Sequence, residues 1–229
     1  MKQFNPRVDI LPDAQKALWN ELSPCKDLGF VLYGGTAIAL QIGHRSSVDF
    51  DFFSHLPLDE KKEKKVLSAL PFLNTSERIQ VTQNTRSYLT ATNVKFSFFG
   101  CIHLGRIGEP LTTDDGVLQV ASLDDLMAMK LATILQRVEA KDYKDLAAML
   151  KNGMSLEKGL AGALTLYGKQ FPPSESLKAM TYFHGGDLQK LSQPDKETLL
   201  LASRTLSVRE LPQVKLLSKD LTASRCPAV

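Results

Sequence analysis

Two aspartates alternate with aromatic residues in Val48-Asp49-Phe50-Asp51-Phe52-Phe53, and a Gly-Gly-Thr turn at 34–36 stands just upstream. Buried among apolar groups, a carboxylate is tolerated only when it is paired or bound to a cation, so this stretch restricts the fold more than any other. Successive side chains of a strand point to opposite faces. Asp49 and Asp51 therefore share one face, and Val48, Phe50 and Phe52 are expected to enter the core. Upstream, Phe30 to Gly34 (FVLYG) reads as a short apolar strand ending at the double glycine, residues 36–42 (TAIALQI) as a compact helix, and residues 43–47 (GHRSS) as the loop returning to the acidic strand.

Two carboxylates one residue apart suit a hard divalent cation, magnesium or manganese, which prefers oxygen ligands and is commonly shared with substrate phosphates. Gly34 and Gly35 let the backbone approach a ligand closely, and the helix that follows presents its first amides to an anion. Thr36 adds a hydroxyl donor, while Arg45 and Ser47 are placed to orient the acidic pair or to contact phosphate. The pattern predicts a nucleoside triphosphate with its phosphates on the glycine turn and a metal bridging them to Asp49 and Asp51. Transfer chemistry of this kind is driven mainly by positioning and charge neutralisation.

Elsewhere, residues 13–22 after Pro12 and residues 58–70 after Pro57 carry helical spacing, with Lys61-Lys62-Glu63-Lys64-Lys65 read as a solvated face. From Glu77 the texture changes to period-two stretches, RIQVTQN, SYLTATN and VKFSFFGCIH, which read as a largely antiparallel region. Ser122 then precedes one long helical run over 123–150. On a single helix Lys130, Arg137 and Lys141, seven and four apart, fall near one face, with Lys130 positioned to reach phosphate oxygens. Asp142 and Asp145, three apart, are expected to anchor the helix or its basic residues. Four further helices are predicted from SLEKGLAGALTLYG, SESLKAMTYF, DKETLLLASRTL and QVKLLSKDLTA. The chain is thus expected to divide near residue 117 into an α/β half (1–117) and a helical half (118–229), with a cleft between them.

Composition excludes little: 43% of the 229 residues are hydrophobic and the net charge is only +3, so no global field demands a polyanionic or membrane partner. The excess lies in the second half, among Arg204, Arg209, Lys215, Lys219 and Arg225, where a solvated surface is the simplest reading. Three widely spaced cysteines, Cys25, Cys101 and Cys226, argue against a disulfide framework and for the cytoplasm. The start of the chain has no apolar core of signal-peptide length, and no apolar run approaches the roughly 18 residues that would span a bilayer. Cys101 and His103 would share a strand face, with His44 and His55 flanking the acidic strand, but no Cys-x-x-Cys or paired-histidine spacing completes a zinc site. No Gly-x-Ser-x-Gly elbow points to a serine nucleophile.

GGTAIALQIGHRSSVDFDFF resembles the glycine-turn and Asp-x-Asp motif of the nucleotidyltransferase superfamily, and its Gly-Gly-Thr-Ala and His-Arg-Ser-Ser-x-Asp-x-Asp wording resembles specifically the AbiEii/AbiGii toxin-type family. KLATILQRVEAKDYKDL is similar to that family's later Lys, Arg and Lys/Arg-Asp-x-x-Asp-Leu pattern, and VKFSFF resembles its intervening strand motif with a lysine, here Lys95. The resemblance covers about residues 31–150. It implies an α/β (α+β) nucleotidyltransferase-like domain with a mixed sheet, followed by an all-α helical-bundle domain, and metal-dependent transfer of a nucleotide from an NTP to an acceptor: RNA, protein or a small molecule. Members resembling this chain are typically toxins of toxin–antitoxin or phage-defence systems, some acting on tRNA ends, which implies a cognate antitoxin. In one respect the chain departs from the pattern. The superfamily often adds a third carboxylate where this sequence has Ser97, and a serine cannot replace it as ligand or base at neutral pH. Either Asp114 or Asp115 fills in, or catalysis is weak, or the site binds nucleotide without turnover.

Overall fold

The computed structural model describes residues 2–204 and 206–223; Arg225 and Cys226 lie outside them. Two compact units emerge. The first holds the chain up to Gly105, Glu109–Ser122 and the part from Ser218 on; the second holds Arg106–Gly108 and Leu123–Leu217.

An eight-stranded mixed sheet organises the first unit. Its strands are β1 (Gln3–Phe4), β2 (Val31–Tyr33), β3 (Asp49–Phe53), β4 (Glu77–Thr82), β5 (Thr85–Leu89), β6 (Lys95–Phe99), β7 (Leu111–Thr113) and β8 (Gln119–Val120), in the spatial order β1-β7-β8-β2-β3-β6-β5-β4. The β4-β5-β6 meander is antiparallel, as the alternating texture predicts, but β6 joins β3 in parallel. Register then stacks aromatic rings on one face: Phe50 lies 5.1 Å from Phe96 and Phe52 lies 5.3 Å from Phe98, each pair nearly parallel. All four rings are buried. Val48 is not among them: it precedes β3 and is 56% exposed, because the alternation that carries Phe50 and Phe52 inward starts only where β3 begins to pair.

Helices α1 (Asp13–Leu18), α2 (Pro24–Asp27), α3 (Gly34–Ile42) and α4 (Glu60–Ala69) complete this unit. Helix α3 begins at Gly34 itself and stops at Gly43, whose φ of 74° places it in the left-handed region that glycine enters without steric cost. Asp59 caps α4, its carboxylate accepting from the Lys62 amide at 2.7 Å. The basic run on α4 is only partly a solvated face. Lys61, Lys64 and Lys65 are exposed, but Glu63 is buried, and its carboxylate accepts from Arg86 Nε at 2.6 Å, Arg78 Nη2 at 2.5 Å and the Tyr88 hydroxyl at 2.8 Å. Burial by itself would raise the Glu63 pKa. The hydrogen bonds from Arg86 and Tyr88 and the two guanidinium charges outweigh it and leave the pKa lowered.

The second unit carries α5 (Leu123–Thr133), α6 (Ala140–Lys151), α7 (Leu156–Tyr167), α8 (Pro173–Thr181) and α9 (Gln193–Ser203). Ser155 and Ser192 cap α7 and α9 by accepting from amides three residues on. Two expectations are corrected. The run over 123–150 is two helices, broken between Thr133 and Ala140, so Arg137 stands in the connection and not on a continuous helical face. The last predicted helix does not form: residues 211–217 are irregular, because their backbone groups find tertiary partners, the Val214 carbonyl accepting from Thr165 Oγ1 at 2.8 Å and the Leu217 amide donating to the Arg106 carbonyl at 2.8 Å. Among the described residues, no helix is long and apolar enough to cross a membrane.

Truncation at Glu63 leaves the buried Arg86 guanidinium without its counter-charge. Glu63→Ala is expected to cost about 3–5 kcal/mol, read as a lowered urea midpoint with an unchanged slope.

Candidate active site

Three adjacent central strands bring the acidic pair and its neighbours to the edge where β2 ends and β3 and β6 begin. Antiparallel pairing of β2 with β3 sets Tyr33 opposite Asp51, and parallel pairing of β3 with β6 sets Asp49 beside Lys95 and Asp51 beside Ser97. Residues in register share a face. Tyr33, Asp49, Asp51, Lys95 and Ser97 thus project away from the phenylalanine stack, with Asp49, Asp51 and Lys95 half-buried and Ser97 buried. Phe53 and Phe99 occupy the same face further along, with Phe53 stacked 4.8 Å from the Tyr33 ring.

Directly after Tyr33 comes the glycine turn. Gly34 has a φ of 75°, and a Cβ on it would stand 2.7 Å from Asp51 Oδ2, so the bare backbone of the turn lies against the carboxylate. At Gly35 a Cβ would run into the Arg45 guanidinium and stand 3.1 Å from Ser47 Oγ. Arg45 therefore crosses the first turn of α3, with its Nη1 donating to the Ser46 carbonyl at 2.9 Å. Thr36 is buried and its hydroxyl donates to the Asp49 carbonyl. That proton, expected at a phosphate, is spent on tying helix to strand, and the first amides of α3 remain the donors suited to an anion.

The oxygen donors fit a hard divalent cation. Asp49 and Asp51 offer two carboxylates on one face, and no cluster of three or more His, Cys, Asp or Glu occurs among the described residues. A pair of this kind is a partial set, the form in which magnesium is usually held, completed by phosphate oxygens and water. Asp114 and Asp115 do not complete it. They occupy the β7–β8 turn, and since β8 runs parallel to β2, that turn lies at the end of the sheet opposite Gly34. Asp115 is occupied there, accepting from Trp19 Nε1 at 2.7 Å and from the Val117 amide at 3.0 Å. Nor do Cys101 and His103 share a strand face, because β6 ends at Phe99 and Cys101 has a φ of 54°.

The model of the family described as "Nucleotidyl transferase AbiEii toxin, Type IV TA system" matches residues 24–203. The chain belongs to this family. A curated relative from Aquifex aeolicus (strain VF5), named "Uncharacterized protein aq_aa25", is 32% identical over 138 residues; the match takes in 60% of this chain and 65% of the relative, just under two thirds of that protein's length.

In this AbiEii-family chain the second motif forms an ion cluster within the helical unit. Lys130, expected at phosphate oxygens, is only 8% exposed on its side chain, and its ammonium sits 2.6 Å from Asp142 Oδ1 and 2.7 Å from Asp145 Oδ2. Arg137 reaches the same carboxylate from the connection between α5 and α6, its Nε 2.9 Å from Asp142 Oδ2 and its Nη2 3.1 Å from Oδ1. Burial alone would raise the Asp142 pKa; the Arg137 hydrogen bond and the Lys130 charge reverse this and hold it below its ordinary value. Sequence spacing pairs these residues in kind but does not reveal that the ammonium is enclosed. It also misses Tyr33 and Ser87. Tyr33 neighbours Asp51 only through cross-strand register, and Ser87 Oγ lies 3.3 Å from Ser97 Oγ through the β5–β6 pairing.

A proton leaves folded Asp142 more readily than unfolded Asp142, so the stabilisation is complete above the unfolded value of 3.8 and is lost as pH falls through the lower folded value. Asp142→Asn is accordingly expected to lower stability at pH 7 by about 3 kcal/mol and to flatten the acid limb of the stability profile below about pH 4, measured by urea unfolding across pH. Gly34→Ala is expected to cost roughly 1–2 kcal/mol from its positive φ, and more than that because the added methyl crowds Asp51; urea unfolding checks it.

Proposed function

We propose that this chain is a metal-dependent nucleotidyltransferase whose working edge is the meeting of β2, β3 and β6. The observation that carries the proposal is the placement of Asp51 directly against Gly34, which sets an oxygen-donor pair beside a backbone cradle for phosphate. Gly34, Gly35 and the first amides of α3, including that of Thr36, receive the triphosphate. Arg45 and Lys95 supply positive charge from either side, and Ser47 steadies the Arg45 loop. Asp49 and Asp51 hold magnesium or manganese, which neutralises phosphate charge when bound. An acceptor hydroxyl oxygen then bonds to the α-phosphorus, the bond between that phosphorus and the oxygen bridging to the β-phosphate breaks, and pyrophosphate leaves as the hydroxyl proton passes to water. The chain's own part is to orient the reactants and to oppose the developing charge with preorganised donors. Lys130, Arg137, Asp142 and Asp145 act in support, bracing the helices that carry them.

The acceptor favoured by this reading is RNA, with a cognate antitoxin as partner and the cytoplasm as the place of action, the last resting on the few, widely spaced cysteines. A second reading, a nucleotide-binding module without turnover, is favoured by one observation: Ser97 occupies the position beside Asp51, buried and within 3.3 Å of the Ser87 hydroxyl, so no third carboxylate stands at that point of the sheet.

Incubation with magnesium, each labelled NTP and total bacterial RNA separates the two. Wild type is expected to transfer label, and Asp49→Ala/Asp51→Ala to fall to background. Nucleotide binding without transfer by wild type establishes the binding module, and the absence of both overturns the two readings together.

A further inference from the structure

Some exposed lysines of this chain are paired locally. Lys16, Lys178 and Lys190 each lie within 3.5 Å of a carboxylate three residues away. Lys61, Lys64 and Lys65 on α4 make no ion pair among the described residues. Of the carboxylates beside them in sequence, Glu63 turns inward and is consumed by Arg78 and Arg86, and Asp59 caps the helix, which leaves Glu60 at its first turn. Positions 61, 64, 65 and 68 recur at helical spacing, so the three lysines and Ser68 form one stripe about 10 Å long. With Leu28 and Ala69 they line an open groove of about 500 Å³. Lys62, one position aside, lies over the Phe30 ring at 5.2 Å. Burial and then the charge of Lys65 push its pKa below the ordinary lysine value. The stripe is thus a patch of three lysines without ion pairs on one helix, with an apolar floor.

We infer that this α4 stripe is the docking surface for the phosphate backbone of an RNA, the acceptor of the nucleotidyl transfer proposed above. Charge complementarity favours a polyanion: closely spaced lysines gain binding free energy by displacing the condensed counterions of a nucleic acid, and this contact is insensitive to base sequence. Placement agrees with the role. Lys62 Nζ meets the Leu28 carbonyl just before β2 begins, whereas the acidic pair lies where β2 ends. The two therefore stand apart by roughly the length of β3, about 15 Å at 3.3 Å per residue. A body of RNA held on α4 leaves its chain end free to reach Asp49 and Asp51.

The inference rests on the transferase reading, so the test measures two things on the full chain: binding of fluorescent total tRNA by anisotropy over a range of salt, and magnesium-dependent NTP binding by calorimetry. Lys61→Gln/Lys64→Gln/Lys65→Gln is expected to weaken RNA binding at least tenfold and to reduce the slope of log affinity against log salt by about 2, for three lost contacts at about 0.7 each. NTP binding and the melting temperature should stay at wild-type values. The control Lys16→Gln/Lys178→Gln/Lys190→Gln removes the same net charge from paired sites and should change RNA affinity less than threefold. Equal losses in both triple variants, or none in the first, overturn the α4 assignment. Wild type that binds NTP but no RNA also overturns it, leaving the transferase reading in place and pointing the stripe toward an acidic protein. RNA binding lost with the α4 lysines in a chain that binds no NTP supports the surface while the transferase reading fails.

Discussion

A Cβ on Gly34 would stand 2.7 Å from Asp51 Oδ2, and this close approach joins the two halves of the candidate site. Any side chain at that position would force the acidic strand and the helix start apart. Without one, β2 can end against β3, α3 can begin at once, and Thr36 can reach the Asp49 carbonyl. The same approach aims the first amides of α3, the positive end of its dipole, toward the edge where two carboxylates emerge. Backbone geometry thereby sets the positive helix end beside the acidic pair.

Behind that edge the sheet is held by rings. The parallel register of β3 with β6 stacks Phe50 on Phe96 and Phe52 on Phe98, and the same register aligns Asp49 with Lys95 and Asp51 with Ser97 on the other face. Core packing and site geometry are thus two faces of one pairing. A slip by one residue would exchange them, burying the carboxylates and exposing the rings. The aromatic stack consequently does more than supply apolar area, because it specifies which residues meet at the functional edge.

Two clusters of buried charge, around Glu63 and around Lys130, are each built from opposite signs. Glu63 gathers two arginines and a tyrosine beneath α4, and Lys130 is enclosed by Asp142 and Asp145 with Arg137 alongside. Their energetic meaning is the same: replacing a whole cluster by apolar groups can be neutral, but removing one member strands its partners in a medium that solvates them poorly. The clusters also pull carboxylates out of basic stretches that look uniformly solvated in sequence, and on α4 this turns Glu63 away from the outward lysines.

What the sequence by itself determined is local. The Gly-Gly-Thr turn, the alternating Asp and Phe of the acidic strand, and the helical spacing of α7 and α9 are legible because turn chemistry, strand alternation and helical periodicity each act over a few residues. The family resemblance was legible for the same reason, since it rests on short motifs. Tertiary structure decided the rest. Only strand order and direction place Lys95 and Ser97 beside the acidic pair and send Asp114 and Asp115 to the far end of the sheet. Only packing breaks the predicted long helix before Ala140, encloses Lys130, turns Glu63 inward and keeps residues 211–217 irregular. In each case the deciding contact joins residues distant in sequence, through register or through burial that makes an unmet charge or backbone group costly, and periodicity along the chain carries no record of either.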